Sequence, residues 1–168
     1  MKKVYDTINQ YCVEHDLLMN GDGIVIGLSG GVDSVCLLQV LAALRNEWQL
    51  RLVCVHVHHG IRGTAADEDA AFAQRLAAKY NISFRLYEMD IPQLAKEQGL
   101  SEEEAGRNYR YRCFEEVRKE LNFDKIAVAH HRDDQAETVL WQILRGSGLR
   151  GVCGMRAGRA NIIRPLLC

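Results

Sequence analysis

Four short apolar runs, each followed by a stretch with helical apolar periodicity, restrict the fold of this chain more than any other feature. The runs lie at 24–28, 51–57, 82–88 and 125–129. They read as continuous rather than alternating apolar segments, the pattern of strands covered on both faces. Between them, helices are expected from Lys2 to His15 (Val4, Ile8, Tyr11 and Cys12 on one face), Asp33 to Leu44, Thr64 to Tyr80, Ser101 to Leu121 and Asp133 to Leu144. Thr64-Ala65-Ala66-Asp67 and Ser101-Glu102-Glu103-Glu104 have the form of capping boxes, in which a hydroxyl and an acid satisfy helix-start amides reciprocally. Gly21-Asp22-Gly23 breaks the first helix, five glycines between 146 and 158 make a loop, and Asn161–Arg164 starts a fifth strand. The expected fold is α/β: one domain with a doubly wound, mostly parallel five-stranded sheet and helices on both faces.

Composition narrows the setting. With 48% hydrophobic and 26% charged residues in 168, the chain can bury a core. Its longest apolar runs fall far short of the ~18–20 residues of a membrane span. No apolar stretch follows the two lysines at 2 and 3, so a secretory leader is not expected and the cytoplasm is. The six cysteines include no Cys-x-x-Cys pair, and Cys12, Cys36 and Cys54 sit among apolar residues as reduced thiols would. A net charge of −1 argues against nucleic-acid binding by the whole surface. Residues 138–168, however, carry five arginines and no acid, as a face meeting phosphates would. Residues 88–104 carry six acids against Lys96, a pattern that also suits a solvated face. Trp48 and Trp141 read as core or half-buried anchors.

In a doubly wound sheet, ligands bind beyond the carboxyl ends of the strands. After the first run comes Ser29-Gly30-Gly31-Val32-Asp33-Ser34, joining strand to helix directly. Paired glycines allow close backbone approach, and the amides opening the next helix attract anions. Ser29 and Ser34 can add hydroxyl donors. The loop lacks the Gly-Lys-[Ser/Thr] ending of a Walker A loop and the Gly-x-Gly-x-x-Gly dinucleotide pattern. Its physics is that of a phosphate cradle; the plainer alternative is a tight turn capped by Asp33 or Ser29.

Ser-Gly-Gly-x-Asp-Ser after a first strand resembles the loop of the PP-loop ATP pyrophosphatases, a group that includes GMP synthetases, NAD synthetases and tRNA thiolases. Four further stretches are more specific: 56–63 (His-Val-His-His-Gly-Ile-Arg-Gly), 107–111 (Arg-Asn-Tyr-Arg-Tyr), 129–138 (Ala-His-His-Arg-Asp-Asp-Gln-Ala-Glu-Thr) and 145–151 with Gly154-Met155 and Ile163-Arg164-Pro165-Leu166-Leu167. In this order they resemble the N-terminal domain of the bacterial tRNA(Ile)-lysidine synthases. The resemblance implies ATP-dependent adenylation of C2 of the wobble cytidine in tRNA(Ile) with a CAU anticodon. Free L-lysine then displaces AMP, and Mg²⁺ assists. It also implies that residues 1–168 are one N-terminal domain of a longer protein, without its tRNA-gripping domains.

By matching positions, the resemblance implies that Ser29, Gly30, Gly31, Val32, Asp33 and Ser34 hold the ATP phosphates. Val55 and His56 would lie at the adenine, although His56 also suits a packed strand end. Asp33, Arg107, Arg110, His130, Asp133 and Asp134 are the implied catalytic group. Asp133 and Asp134 would hold Mg²⁺, or one of them the lysine ammonium; alternatively either is a helix cap. Arg107 and Arg110 lie three apart on one helix face and could neutralise the α-phosphate, or pair with Glu103, Glu104 or Glu115. Arg145 and Arg150 suit contacts to tRNA phosphates. Other classes remain open: a tRNA thiolase, against which the missing Cys-x-x-Cys counts, a metal-dependent phosphohydrolase built on His130, His131, Asp133 and Asp134, or a non-catalytic nucleotide-binding module.

Overall fold

The computed structural model describes residues 2–58, 64–146 and 154–168. In chain order the elements are α1 (Lys2–Glu14), β1 (Gly23–Gly27), α2 (Val32–Leu44), β2 (Arg51–His58), α3 (Thr64–Lys79), β3 (Ser83–Glu88), α4 (Ile91–Gln98), α5 (Glu102–Glu120), β4 (Lys125–Ala127), α6 (Arg132–Leu144), β5 (Gly158–Arg159) and β6 (Ile162–Ile163), closed by a 3-10 turn at Pro165–Leu167. The sheet order is β3-β2-β1-β4-β6-β5. Every pairing is parallel except the β5–β6 hairpin.

The apolar runs are continuous because each strand feeds two cores. On one face Ile24, Ile26, Leu28, Leu52 and Cys54 pack with Ile8 and Cys12 of α1, Leu37, Leu38, Leu41 and Leu44 of α2, and Ala73 and Ala77 of α3. The intervening residues Val25, Val53 and Val55 turn to the other face, where they join Ile126, Val128, Phe114 and Val117. This is the period-two geometry of a strand buried on both sides. A third cluster joins Ile91 and Ala95 of α4 to Ala105, Tyr109 and Cys113 of α5.

Four expectations are corrected. The sheet has six strands, not five, because two residues of the glycine-rich stretch pair back on β6 in a hairpin too short to leave a periodic signal. Helix α4 lies inside the acidic stretch read as a charge run. Asp90 caps it by accepting from the Gln93 amide, and Gly99 at φ +67° ends it. Val4 is more than half exposed although Ile8 and Cys12 are buried. Trp48 is half-buried, its Nε1 donating to Asn9 Oδ1, whereas Trp141 is 61% exposed.

Cys12, Cys54 and Cys113 are free and buried; burial pushes the Cys12 and Cys54 thiols up to about 12, so both act as small apolar groups. Cys153 lies outside the described residues. Among the described residues no helix is long and apolar enough to cross a membrane.

The chain runs outward from β1 through β2 to β3, then returns to place β4 on the other side of β1. That reversal opens a crevice beyond the carboxyl ends of β1 and β4. At the opposite end, Lys125 Nζ lies 2.7 Å from Asp22 Oδ2, and the same oxygen accepts from the Met19 amide. This largely buried pair ties the starts of β1 and β4 to each other.

Candidate active site

The loop after β1 is shaped by its own backbone. Gly30 sits at φ +91°, a conformation open to glycine and strained for other residues, with Asp69 of α3 packed beside it. Gly31 is the N-cap of α2, in extended conformation, and no side chain caps the helix. The first amides of α2 therefore have no intrahelical partner and face the crevice as an anion receptor. Asp33 does not cap the turn, whereas Ser29 Oγ accepts from the Gly31 amide at 3.4 Å. Ser34 is buried; its Oγ donates to the Gly31 carbonyl (2.8 Å) and accepts from the Ser29 amide (3.2 Å) and Ser29 Oγ (3.1 Å). Its proton is thus committed to bracing the loop. Val32 is 79% exposed on the outer side.

A cleft of about 770 Å³ opens over this loop. Its lining includes Ser29, Gly31, Asp33 and Ser34 from the loop, Val55 and His56 from β2, Arg107 and Arg110 from α5, and His130, His131 and Asp134 beyond β4. His56 is 5% exposed, and its Nδ1–H donates to the Leu28 carbonyl at 2.8 Å. Burial holds its pKa below the ordinary value, so the ring is neutral at pH 7. The packed strand-end role and a place on the cleft wall are therefore both occupied by His56. Phe114 lies against Gly27 at the cleft floor; a Cβ at Gly27 would sit 2.7 Å from the Phe114 ring.

Beyond β4, the cap of α6 is His131, not an aspartate. Its Nδ1 accepts from the Asp133 amide (3.2 Å), while Asp134 Oδ2 accepts from the His131 amide (2.8 Å), a reciprocal capping box. With Nδ1 as acceptor, Nε2 carries the proton of the neutral ring. That nitrogen lies 3.6 Å from Asp33 Oδ2 and 3.7 Å from Asp134 Oδ2, so the starts of α2 and α6 meet through one imidazole. Asp133 does not line the cleft and is exposed. Successive helix residues point about 100° apart, so the two aspartates leave α6 in different directions. His130 Nδ1 is buried without a partner, and its ring is held neutral by burial and by Arg164.

Among the described residues no three His, Cys, Asp or Glu side chains converge as a metal cage. Mg²⁺ requires no such cage: it is held by one or two carboxylates, waters and substrate phosphates. Asp33 and Asp134, each within 3.7 Å of His131 Nε2 and both lining the cleft, fit that donor set; Asp133 lies off the cleft.

Arg107 and Arg110 both reach the cleft, Arg107 with its guanidinium 5.3 Å from the Tyr111 ring centre. Glu115 is taken instead by Arg118 at 2.7 Å. A second groove of about 440 Å³ shares Arg107, His130 and Asp134 with the cleft and continues along α6 past Glu137, Thr138, Trp141 and Arg145 to Met155. Gln135 secures its far wall through two bonds to the Met155 backbone. Arg145 stacks on Trp141, its Cζ 4.7 Å from the ring centre. Arg150 lies outside the described residues.

Glu137, Asp69 and Phe114 are among the lining residues that had no role in the reading of the sequence. Glu137 was detectable, since it follows Asp134 by three on one helix. Asp69 and Phe114 reach the site only through tertiary packing and carry no local signal.

Uncapped helix amides, two carboxylates around one imidazole and cleft-lining arginines at a topological switch point define an α/β domain with a crevice suited to phosphate groups. A family model described as PP-loop domain matches residues 2–168, and the chain belongs to that family. The chain is 49% identical over 167 residues to the tRNA(Ile)-lysidine synthase of Caldanaerobacter subterraneus, covering 99% of this chain and 35% of that protein. It is 42% identical to the Clostridium tetani protein of the same name, with 98% and 34% covered. The chain thus spans about a third of the length of these curated relatives. Among solved structures, the U34-tRNA thiolase NcsA from Methanococcus maripaludis has a TM-score of 0.76 at 22% identity over 98% of this chain and 57% of its own. The NH3-dependent NAD synthetase from Campylobacter jejuni reaches 0.61 at 17%, covering 99% and 67%. These two likenesses establish the shared fold.

Proposed function

We propose that this chain is the ATP-using domain of a tRNA(Ile)-lysidine synthase, acting in the cytoplasm as a ligase that joins lysine to the wobble cytidine of the CAU anticodon. The observation that carries this reading is the meeting of two helix starts, α2 with its bare amides and α6 with its capping box, through Asp33, His131 and Asp134. The relatives named above supply the substrate.

ATP lies with its phosphates on the α2 amides and its adenine against Val55 and the β1 end. The C2 carbonyl oxygen of the cytidine attacks the α-phosphorus; the bond to the β-phosphate oxygen breaks and pyrophosphate leaves. An amine of free lysine then forms a bond to C2, loses a proton, and expels AMP with the former carbonyl oxygen. A neutral carbonyl oxygen is a poor leaving group; a phosphate ester is a good one. Arg107 and Arg110 offset charge at the α-phosphate. Asp33 and Asp134 would hold Mg²⁺, which supplies charge neutralisation on the departing pyrophosphate. Asp134 and Glu137, on the groove that joins the cleft, suit the ammonium of the incoming lysine. The rest of the longer protein grips the tRNA, with Arg145 adding a phosphate contact.

The test uses the full-length protein with ATP, tRNA(Ile) bearing CAU, and labelled lysine. The reading predicts pyrophosphate release that needs this tRNA, and label in the RNA. Release with any tRNA or none, and no label, would overturn it. A phosphohydrolase on His130 and His131 would instead act without ATP.

A further inference from the structure

We infer that Trp141 and Arg145 form a stacking shelf for an unpaired nucleobase, at the outer end of the groove that leads into the cleft. This rests on the reading of RNA as the substrate and adds a positioned base contact to it.

Trp141 is 61% exposed, and Leu140, Ile143 and Leu144 of the same helix are exposed with it. Trp141 follows Asp134 and Thr138 and precedes Arg145 at spacings of four, three and four, so these four side chains form one line along α6. All four line the same groove. Among the described residues that line this groove, the indole's companions are carboxylate, hydroxyl, amide, imidazole and guanidinium groups, with Met155 at the far wall. The exposed Leu140 and Leu144 fall beside this line and do not line the groove. Arg145 stacks 4.7 Å from the indole centre, which holds the ring in place and sets a positive charge beside it.

Such a pair suits a nucleotide: a base has a π face to lay on the indole, and its phosphate a guanidinium to meet. Single-stranded RNA is recognised in this way by aromatic and arginine planes. The groove shares Arg107, His130 and Asp134 with the cleft, so a base on the shelf borders the path by which a neighbouring base reaches the α-phosphate. The helix register thus assigns Trp141 to substrate positioning, apart from the chemistry.

The test compares Trp141→Phe and Trp141→Leu with the parent in the full-length protein, measuring pyrophosphate release against tRNA and against ATP. Phenylalanine keeps a π face; leucine keeps apolar bulk alone. The shelf predicts that Trp141→Leu raises KM for tRNA about tenfold. Trp141→Phe should raise it less than about threefold, with KM for ATP and the melting temperature unchanged in both. Equal tRNA KM values for Trp141→Leu and the parent would overturn the shelf while leaving the proposed reaction intact. Equal losses in Trp141→Leu and Trp141→Phe would assign the residue to a shape-dependent contact with protein and also overturn it. Turnover in the parent that needs no RNA would remove the proposed function and the shelf together.

Discussion

Asp133 and Asp134 are neighbours in sequence with opposite fates, decided by where α6 begins. Once His131 is the cap, Asp134 occupies the third helical position, where its carboxylate turns back to the cap amide and toward the cleft. Asp133 points outward. The sequence could name the pair but not choose between them, because helix phase depends on the cap and histidine is an uncommon one. Asp134→Asn keeps an oxygen for the His131 amide and loses the charge. It is expected to lower adenylation turnover by about tenfold or more with little change in melting temperature. Asp133→Asn is expected to stay within about twofold of the parent, since its side chain is exposed. Steady-state pyrophosphate release by both variants checks this, and similar losses in both would contradict the assigned phase. Ser34 gives the same lesson: a hydroxyl in a phosphate loop suggests a ligand contact, yet its proton is spent inside the loop.

Packing between elements sets the floor and the far edge of the site. Gly27 leaves room for Phe114 of α5, and a methyl there would overlap the ring. Gly27→Ala is expected to cost about 1–3 kcal/mol in chemical denaturation. Phe114→Leu in the same chain should recover part of the loss; an unchanged midpoint for Gly27→Ala alone would show that the ring yields freely. Further along α5, Glu115 accepts from Arg118 and from Asn161 Nδ2, joining the helix to the β5–β6 hairpin. The Arg118 hydrogen bond is the main cause that brings the Glu115 carboxyl down to about 2. The unfolded carboxylate titrates near 4.3, so the stabilisation is complete above about pH 5 and is lost as pH falls toward 2. With both side chains partly exposed, Glu115→Gln should cost about 1 kcal/mol at pH 7 after solvent screening. The difference from the parent should vanish near pH 2, as thermal melts across that range would show. Elements of ten or more residues were legible from periodicity. Helix α4 was not, although Asp90 and Gly99 mark its ends, because six acids nearby suggested a solvated run. Strand β5 has two residues, and its pairing is a property of the hairpin rather than of its sequence.

For the whole molecule, alternating runs and continuous apolar strands identify a parallel sheet covered on both faces, and the structure has it. Strand order is another matter. Nothing local in β4 says that it returns to β1 instead of extending the sheet beyond β3, because that choice is made by two cores packing at once. The return brings the loop after β1 beside the loop after β4, and so turns two separate motifs into one cleft. The site was therefore legible as residues and as loops; the partnership of Asp33 with His131 and Asp134 was not.

The central claim is that the bare amides of α2 receive the phosphates of ATP. Calorimetric titration of the 168-residue chain with ATP and Mg²⁺, beside the same chain carrying Gly31→Val, tests it most directly. Gly31 is at φ −69°, and a Cβ there would meet only Ser29 Oγ at 3.6 Å, an ordinary contact, so the variant should fold as the parent does. The account predicts saturable binding by the parent and none by Gly31→Val at equal melting temperature, because the new side chain stands where the phosphates approach. Equal affinity in the two proteins would contradict it.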